Sequence, residues 1–151
     1  MMKDIFTIDV TNEVLERIEK LNYESQPEWG KMNVAQMLAH CNVTYDMVFT
    51  DHYVKAKAFK KFLLSSLVKN AVVNDKPYKK NIRTAPQFLI VDEREFETEK
   101  TKLVAHIKKV QDLGPDHFEG KESNSFGNLT ARQWNNMFYK HIDHHLSQFG
   151  V

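Results

Sequence analysis

The chain has little of several residues that mark particular protein classes. It contains one cysteine, five glycines and four prolines in 151 residues. A single cysteine cannot close an intrachain disulfide, which excludes disulfide-stapled folds and zinc modules built on several cysteines. Low glycine and proline contents argue against collagen-like and low-complexity chains. No apolar run approaches the roughly 18 residues of a membrane span. The first ten residues, MMKDIFTIDV, lack the basic and apolar regions of a signal peptide, so we expect a cytoplasmic protein.

Charge is unevenly distributed along what we interpret as a single domain over residues 1–151. Between Val54 and Arg83, nine lysines and arginines stand against Asp75 alone, which gives this segment +8 and leaves −7 for the rest. Such a run is more often a solvated face than a binding site, although it can also steer anionic ligands. A sequence pI of about 7.9 and the lack of a recognisable reading module argue against nucleic-acid binding.

Apolar periodicity predicts four amphipathic helices and no clear strand. The helices span about Asp9–Leu21, Asn33–Thr50, Asp92–Leu113 and Thr130 to near the end, with Asn33 as a cap and Gly114-Pro115 as a stop. The simplest way to bury four apolar stripes is an all-α, antiparallel four-helix bundle. A long basic connection joins helices two and three.

Within that connection, Phe59, Phe62, Leu63 and Leu67 could form a short basic amphipathic helix. This pattern gives a weak signal for peripheral membrane binding. The stretch IRTAPQFLIV is the only competitor for a strand, and residues 120–128 are predicted to be a loop. We expect no membrane partner.

The last helix carries the pattern that indicates chemistry. At 100° per residue, His141 and His145 fall in the centre of the apolar face, while Lys140, Asp143 and Ser147 fall opposite. Imidazoles four residues apart on a helix are close enough to chelate one ion. The alternative is a pair of core histidines with ordinary hydrogen-bond partners. No glutamate follows His141, which excludes the zinc-protease arrangement.

A third ligand would come from another helix, and the residues alone leave its identity open. His40 and His52 lie about 18 Å apart along a helix axis, so at most one of them serves. Periodicity places Cys41 more centrally on its stripe than His40, but a buried lone cysteine is usually core filler. The candidates are His40, Cys41, His52, His106 and His117.

Three stretches carry a resemblance to a known family. They are Trp29–Cys41 (WGKMNVAQMLAHC), Phe126–Thr130 (FGNLT) and Lys140–Gly150 (KHIDHHLSQFG). Together they resemble the DinB-like superfamily, and more narrowly a bacterial branch of unknown function with the ending His-His-Leu-x-Gln-Phe-Gly. The resemblance covers nearly the whole chain.

The resemblance implies an up-down-down-up four-helix bundle, often a homodimer, with one divalent metal, zinc or nickel, held by three histidines. Carried over by motif, these ligands are His40, His141 and His145, and Gln148 follows the last ligand. Residues expected next to the ligands or the substrate are Gln148, His144, Cys41 and Thr44.

Two departures from the family pattern concern substrate handling. Ser147 stands near the position at which members of the family usually carry an arginine. Ser123-Asn124, or residues near them, replace the His-Pro pair that the family pattern places before Phe-Gly. The remaining histidines, His52, His106 and His117, are predicted to lie at the surface.

Three neutral imidazoles leave a divalent ion with net charge and an open position, which is typical of catalytic sites. Such an ion activates water or deprotonates a thiol. Characterised superfamily members include thiol-dependent transferases and isomerases and also hydrolases. We therefore expect a metal-dependent enzyme that transfers a low-molecular-weight thiol to a small-molecule substrate. The alternatives are a metal-dependent hydrolase and a non-enzymatic metal- or anion-binding relative.

Overall fold

The computed structural model describes residues 2–53, 57, 68–82 and 84–151, and these are mostly helical. An all-α class is therefore confirmed, with one two-stranded antiparallel hairpin. Of the helices in these ranges, none combines the length and apolar character needed to cross a membrane. The elements are α1 (Ile8–Glu19), α2 (Val34–Phe49), α3 (Lys69–Val73), a 3-10 turn (Pro86–Phe88), α4 (Phe96–Phe118), β1 (Glu122–Ser123), β2 (Gly127–Asn128) and α5 (Ala131–Gln148).

Capping residues set where the two site-bearing helices begin. The Asn33 side chain accepts a hydrogen bond from the Gln36 amide, and the Gln36 side chain accepts one from the Asn33 amide. Thr130 and Gln133 repeat this reciprocal arrangement at the start of α5. Each box satisfies two amides that have no partner within the helix, so both starts are fixed by local sequence.

The bounds predicted for α4 were wrong at both ends. The helix starts at Phe96, four residues after the predicted Asp92, because Glu95 caps it by accepting hydrogen bonds from the amides of Glu97 and Thr98. It continues to Phe118 through a break at Gly114, whose φ of +70° is easy only for glycine. Pro115 then starts a new turn, where its missing N–H costs nothing.

Two connections also differ from expectation. Residues 120–128, predicted to be a loop, contain the β1–β2 hairpin, with Glu122 opposite Asn128. The described part of IRTAPQFLIV contains the 3-10 turn and no strand. The predicted amphipathic helix around Phe59–Leu67 falls outside the described residues.

Contacts between helices establish their relative directions around α2. Asn42 reaches Glu99 and Phe49 reaches His106, so α2 and α4 advance in the same direction. Against α5 the order is reversed, because His40 contacts His145 while the later Tyr45 stacks on Phe138. This reversal brings the His40 end of α2 alongside the C-terminal half of α5.

The directions of α1 follow in the same way. Ile5, just before α1, donates its amide to Asn135, and Arg17 near the helix end pairs with Asp143, so α1 and α5 advance together. Against α4, Lys100 at its start pairs with Glu19 at the end of α1. The fully buried side chains that fill the space between these helices include Ile18, Leu38, Tyr45, Leu103, Ile107, Phe118, Trp134 and Phe138.

Lys140, which the helical pattern places opposite the apolar face of α5, is nevertheless buried. Only 2% of this residue is exposed, because α3 and the turn after it cover that side of α5. The ammonium group donates to the carbonyl oxygens of Ala71 and Asn74 at 2.9 and 2.8 Å. Burial lowers the Lys140 pKa to about 8. Ser147 on the same predicted face is exposed, and Asp143 pairs with Arg17.

A candidate metal centre

Three histidines from two helices meet at one point. His40 of α2 faces His141 and His145 of α5, and one nitrogen from each ring lies within 4.8 Å of the others. The ring centroids are 4.5 to 5.0 Å apart. The four-residue spacing on α5 and the opposite direction of α2 produce this convergence. Of the candidates that the residues left open, His40 is the one that joins the pair.

Each ring has a partner on its Nδ1 atom. His40 Nδ1 donates to the Phe88 carbonyl at 2.8 Å, and His145 Nδ1 donates to Gln148 Oε1 at 2.8 Å. Because those oxygens only accept, the neutral rings carry their lone pairs on Nε2. Hydrogen bonds of this kind are the usual way in which proteins orient imidazole ligands.

Gln148 is itself held in place. Its Nε2 donates to the Trp29 carbonyl at 2.6 Å, which turns Oε1 toward His145. Gly30 makes room for this amide: its φ is +86°, and a Cβ built there would lie 2.5 Å from Gln148 Nε2. The loop before α2 therefore helps to orient a ring on α5.

Thr44 supplies the partner of the third ring. Its Oγ1 lies 2.9 Å from His141 Nδ1, and His141 Nε2 lies 3.0 Å from His40 Nε2. Because His40 Nε2 carries a lone pair, a direct bond between the rings needs a proton on His141 Nε2 and a hydroxyl that donates. If both Nε2 atoms face a cation instead, His141 Nδ1 carries the proton and the hydroxyl accepts. A hydroxyl can take either role.

Burial keeps the three rings neutral. Desolvation lowers the pKa of His145 to about 3, and the neighbouring His40 adds to this. Desolvation likewise lowers the pKa of His40 and sets that of His141 well below its usual value. Neutral imidazoles are the form that binds metals, so no deprotonation step is needed near neutral pH.

His144 and Cys41, both predicted to lie near the site, have different surroundings. The half-buried His144 ring contacts Trp29, Tyr78 and His145 and lines the adjoining cavity. Cys41 is fully buried in the core, where its thiol contacts the Met37 sulfur at 3.8 Å. It is not among the described residues that line the cavity, because its position on α2 is turned toward the core.

The other three histidines lie elsewhere. His52 and His117 are exposed, as predicted. His106 was wrongly predicted to lie at the surface: it stacks on Tyr45, and its Nδ1 donates to Asn42 Oδ1 at 3.2 Å. Burial lowers the pKa of His106.

A cavity of about 610 Å³ adjoins the three histidines. Among the described residues that line it there is no aspartate or glutamate, and Lys31 is the one lysine. Lys80, from the basic segment, lies 3.9 Å above the Trp29 ring that forms part of the wall. Apolar side chains dominate the lining and include Trp29, Met32, Met47, Val48, Phe88, Phe126 and Met137.

Sequence reasoning missed several groups at this site. The Phe88 and Trp29 carbonyls orient the site through the backbone, which leaves no signal in side-chain patterns. Tyr78 lies in a stretch predicted to be only a loop. Gly30 belongs to a stretch that carries the family resemblance, but its closeness to Gln148 depends on the fold.

Comparison with known proteins gives one family match. A family model described as "Protein of unknown function (DUF1569)" matches residues 2–150. Searches among curated proteins and among solved structures found no significant match.

Proposed function

Since the chain belongs to the DUF1569 family, whose description assigns no activity, we propose a function from the site itself. His40, His141 and His145 bind one divalent metal ion, and the protein carries out chemistry on a small molecule in the adjoining cavity. The observation that carries this proposal is the convergence of three imidazole nitrogens within 4.8 Å, with an oxygen partner at each Nδ1.

The donor set fits a borderline metal. Imidazole nitrogens suit zinc and nickel, whereas calcium and magnesium prefer oxygen ligands. No carboxylate lines the described part of the cavity, so the three ligands would leave the charge of the ion uncompensated. An ion held this way supplies a Lewis acid and lowers the pKa of a water or thiol bound to it.

The surrounding residues have separable roles in this proposal. Thr44 and Gln148 hold the ligand rings in position. The apolar lining excludes water and accommodates the apolar body of a substrate. Lys31 lines the cavity and Lys80 lies over the Trp29 ring of its wall, and their positive charge favours ligands with a carboxylate or similar group.

Thiol transfer to an electrophilic substrate is our first candidate reaction. A carbon–sulfur bond forms, the leaving group departs with the electron pair of the bond it loses, and the thiol proton passes to solvent. A thiol with its pKa lowered at the site needs no carboxylate base, and none lines the described part of the cavity. Hydrolysis by an activated water is the second candidate. A relative that binds metal or anions without catalysis is the third.

We also propose that the chain belongs to the DinB-like superfamily and forms an up-down-down-up bundle. The helix directions support this: α1 and α5 advance together, α2 and α4 advance together, and α2 and α5 are opposed. The contacts between α1 and α4 fit the same arrangement. Homodimer formation stays a prediction of that resemblance.

Metal content tests the proposal directly. Protein purified without chelators should contain about one zinc or nickel ion per chain by elemental analysis, and His40→Ala should lose it. His117→Ala, which removes an exposed histidine, is the matched control and should keep the ion. Full metal content in His40→Ala would refute the three-histidine site.

A substrate screen separates the candidate reactions. Thiol consumption with a chlorinated or epoxide substrate supports transfer, whereas product release without thiol supports hydrolysis. An activity that persists in His141→Ala after its metal is lost would favour the non-enzymatic use of the metal.

A further inference from the structure

The buried Lys140 directs all of its hydrogen bonds to one segment of the chain. Its ammonium group donates to Ala71 O, Asn74 O and Asn74 Oδ1 at 2.9, 2.8 and 3.1 Å. It also lies 4.7 Å from the centre of the Tyr78 ring. An ammonium has three donors, and all three are used on residues 69–78, which we call the wall segment.

Lys140 is one member of a row of side chains on α5 that holds the wall segment. Asn136, one turn earlier, donates to Val73 O at 2.9 Å and to Asp75 Oδ1 at 2.7 Å. The row repeats every fourth residue, so all its members point to one side of the helix. Arg132 contacts Asp75, and Asn136 contacts Val73 and Asp75. Lys140 contacts Ala71 and Asn74, and His144 contacts Tyr78.

The wall segment forms part of the cavity beside the three histidines. Ala71, Val72 and Tyr78 line the cavity, and the Tyr78 ring contacts His144, the neighbour of His145. Tyr78 is tied back to the segment by its hydroxyl, which donates to Val72 O at 3.4 Å. The position of this wall therefore depends on what fastens residues 71 and 74 to α5.

Within the row on α5, the Lys140 ammonium is the group that contacts Ala71 and Asn74. α3 has only five residues, so its last carbonyls find no partner within the helix and depend on groups outside it. An uncharged side chain at position 140 would leave the Ala71 and Asn74 carbonyls without that donor. Charge-assisted hydrogen bonds are stronger than the bonds to water that would replace them, so the segment would be held less firmly against α5.

We infer that Lys140 is a positioning residue that fastens the wall segment over the metal-site cavity, so that its loss opens the cavity to solvent while leaving the three histidines in place. This inference rests on the proposed function in that it takes the cavity as the place where ligands bind.

Hydrogen exchange combined with chemical rescue tests the anchor. In Lys140→Ala, exchange at the Val72, Asn74 and Lys76 amides should be at least about tenfold faster, because charge-assisted hydrogen bonds are lost. Added n-propylammonium, which replaces the missing atoms, should restore protection, whereas tetramethylammonium, which has no donor, should not. The Trp134 amide in α5 serves as the internal reference and should be unchanged.

Zinc extraction supplies the second measurement. A chelator should remove zinc from Lys140→Met at least about tenfold faster than from the wild type, at unchanged zinc content per chain. Methionine keeps the packing volume, so this variant also serves if Lys140→Ala fails to fold. Lys108→Ala, which removes an exposed lysine, is the matched control and should behave as wild type.

The two measurements fail separately. Unchanged exchange at the three amides in folded Lys140→Ala and Lys140→Met overturns the anchor. Equal protection by the two ammonium salts also overturns it. Absence of both bound zinc and bound nickel from the wild type overturns the proposed function, while faster exchange with selective rescue still supports the anchor.

Discussion

Gly30 offers a test of how the loop before α2 controls the proposed metal site. Its φ of +86° and the 2.5 Å separation between a built Cβ and Gln148 Nε2 give two distinct costs to Gly30→Ala. The first is the left-handed backbone, roughly 1–2 kcal/mol for a residue with a Cβ. The second is the displacement of the Gln148 amide, because ordinary contact begins at about 3.4 Å.

Displacing this amide has a consequence for the metal ligands. Gln148 would lose its 2.6 Å bond to the Trp29 carbonyl and could no longer accept from His145 Nδ1. Loss of a partner that orients a ligand histidine typically weakens metal affinity about 10- to 100-fold. The amide is the end of a flexible side chain, so the clash itself is relieved by rotation. We therefore expect a modest loss of stability and a large loss of affinity.

Gly120→Ala is the matched control. Gly120 has φ of +72°, and nothing lies within 4 Å of a Cβ built there, so only the backbone cost applies. Urea denaturation of the chelator-treated variants should show the backbone cost in both and a further loss in Gly30→Ala, because only that variant also loses the Gln148 hydrogen bonds. Competition titration of zinc against a chromophoric chelator should show the drop in affinity for Gly30→Ala alone. Equal zinc affinities in the two variants would refute this reasoning.

Three further predictions concern the ligand rings and the core. Without metal, burial lowers the pKa of His145 in the folded chain to about 3, so as pH falls the unfolded chain binds this proton first. The free energy of unfolding should therefore fall as the pH drops from 6.5 toward 3, by at most about 1.4 kcal/mol per pH unit. Urea denaturation across this range should show a shallower fall for His145→Asn, and parallel curves for the two proteins would contradict the prediction. Thr44→Val should lower zinc affinity about 10- to 100-fold, while Thr44→Ser keeps it, in the same competition titration; equal affinities for the two variants would exclude the hydroxyl's role. Leu103→Ala should cost about 2–5 kcal/mol of stability and the exposed Leu89→Ala much less, and similar urea midpoints would show that Leu103 does not pack as described.

Local patterns sufficed to predict the starts of α2 and α5 and the histidine pair on α5. Asn33 and Thr130 cap their helices through neighbours three residues away, which is information present in the sequence. His141 and His145 share a face because four residues make about one turn. These features depend on a single helix, so periodicity was enough.

Choosing between His40 and Cys41 required the fold. Every residue of α2 from Met37 to Asp46 is buried, so this helix has no solvent face against which to orient a stripe. Periodicity then cannot tell a core-facing position from a cavity-facing one. The partner helix α5 decides which side holds the site.

The burial of Lys140 could not be predicted for a related reason. A lysine opposite an apolar stripe normally faces water, but here a distant segment covers that side of α5. The residues around position 140 do not indicate that Ala71 and Asn74 contact this side chain in the folded protein. The hydrogen bond from His40 to the Phe88 carbonyl could not be predicted from the sequence either, since every residue has the same backbone oxygen.

The position of the Thr44 hydroxyl has a consequence for how the protein would acquire its ion. The Thr44 hydroxyl accepts a hydrogen bond from His141 Nδ1 in one tautomer of the ring and donates one to it in the other. His141 Nδ1 therefore has a partner in both tautomers, and His141 Nε2 faces either His40 Nε2 or the ion. The pocket can therefore be folded before the proposed ion binds, and binding would require only that the proton of His141 move from Nε2 to Nδ1.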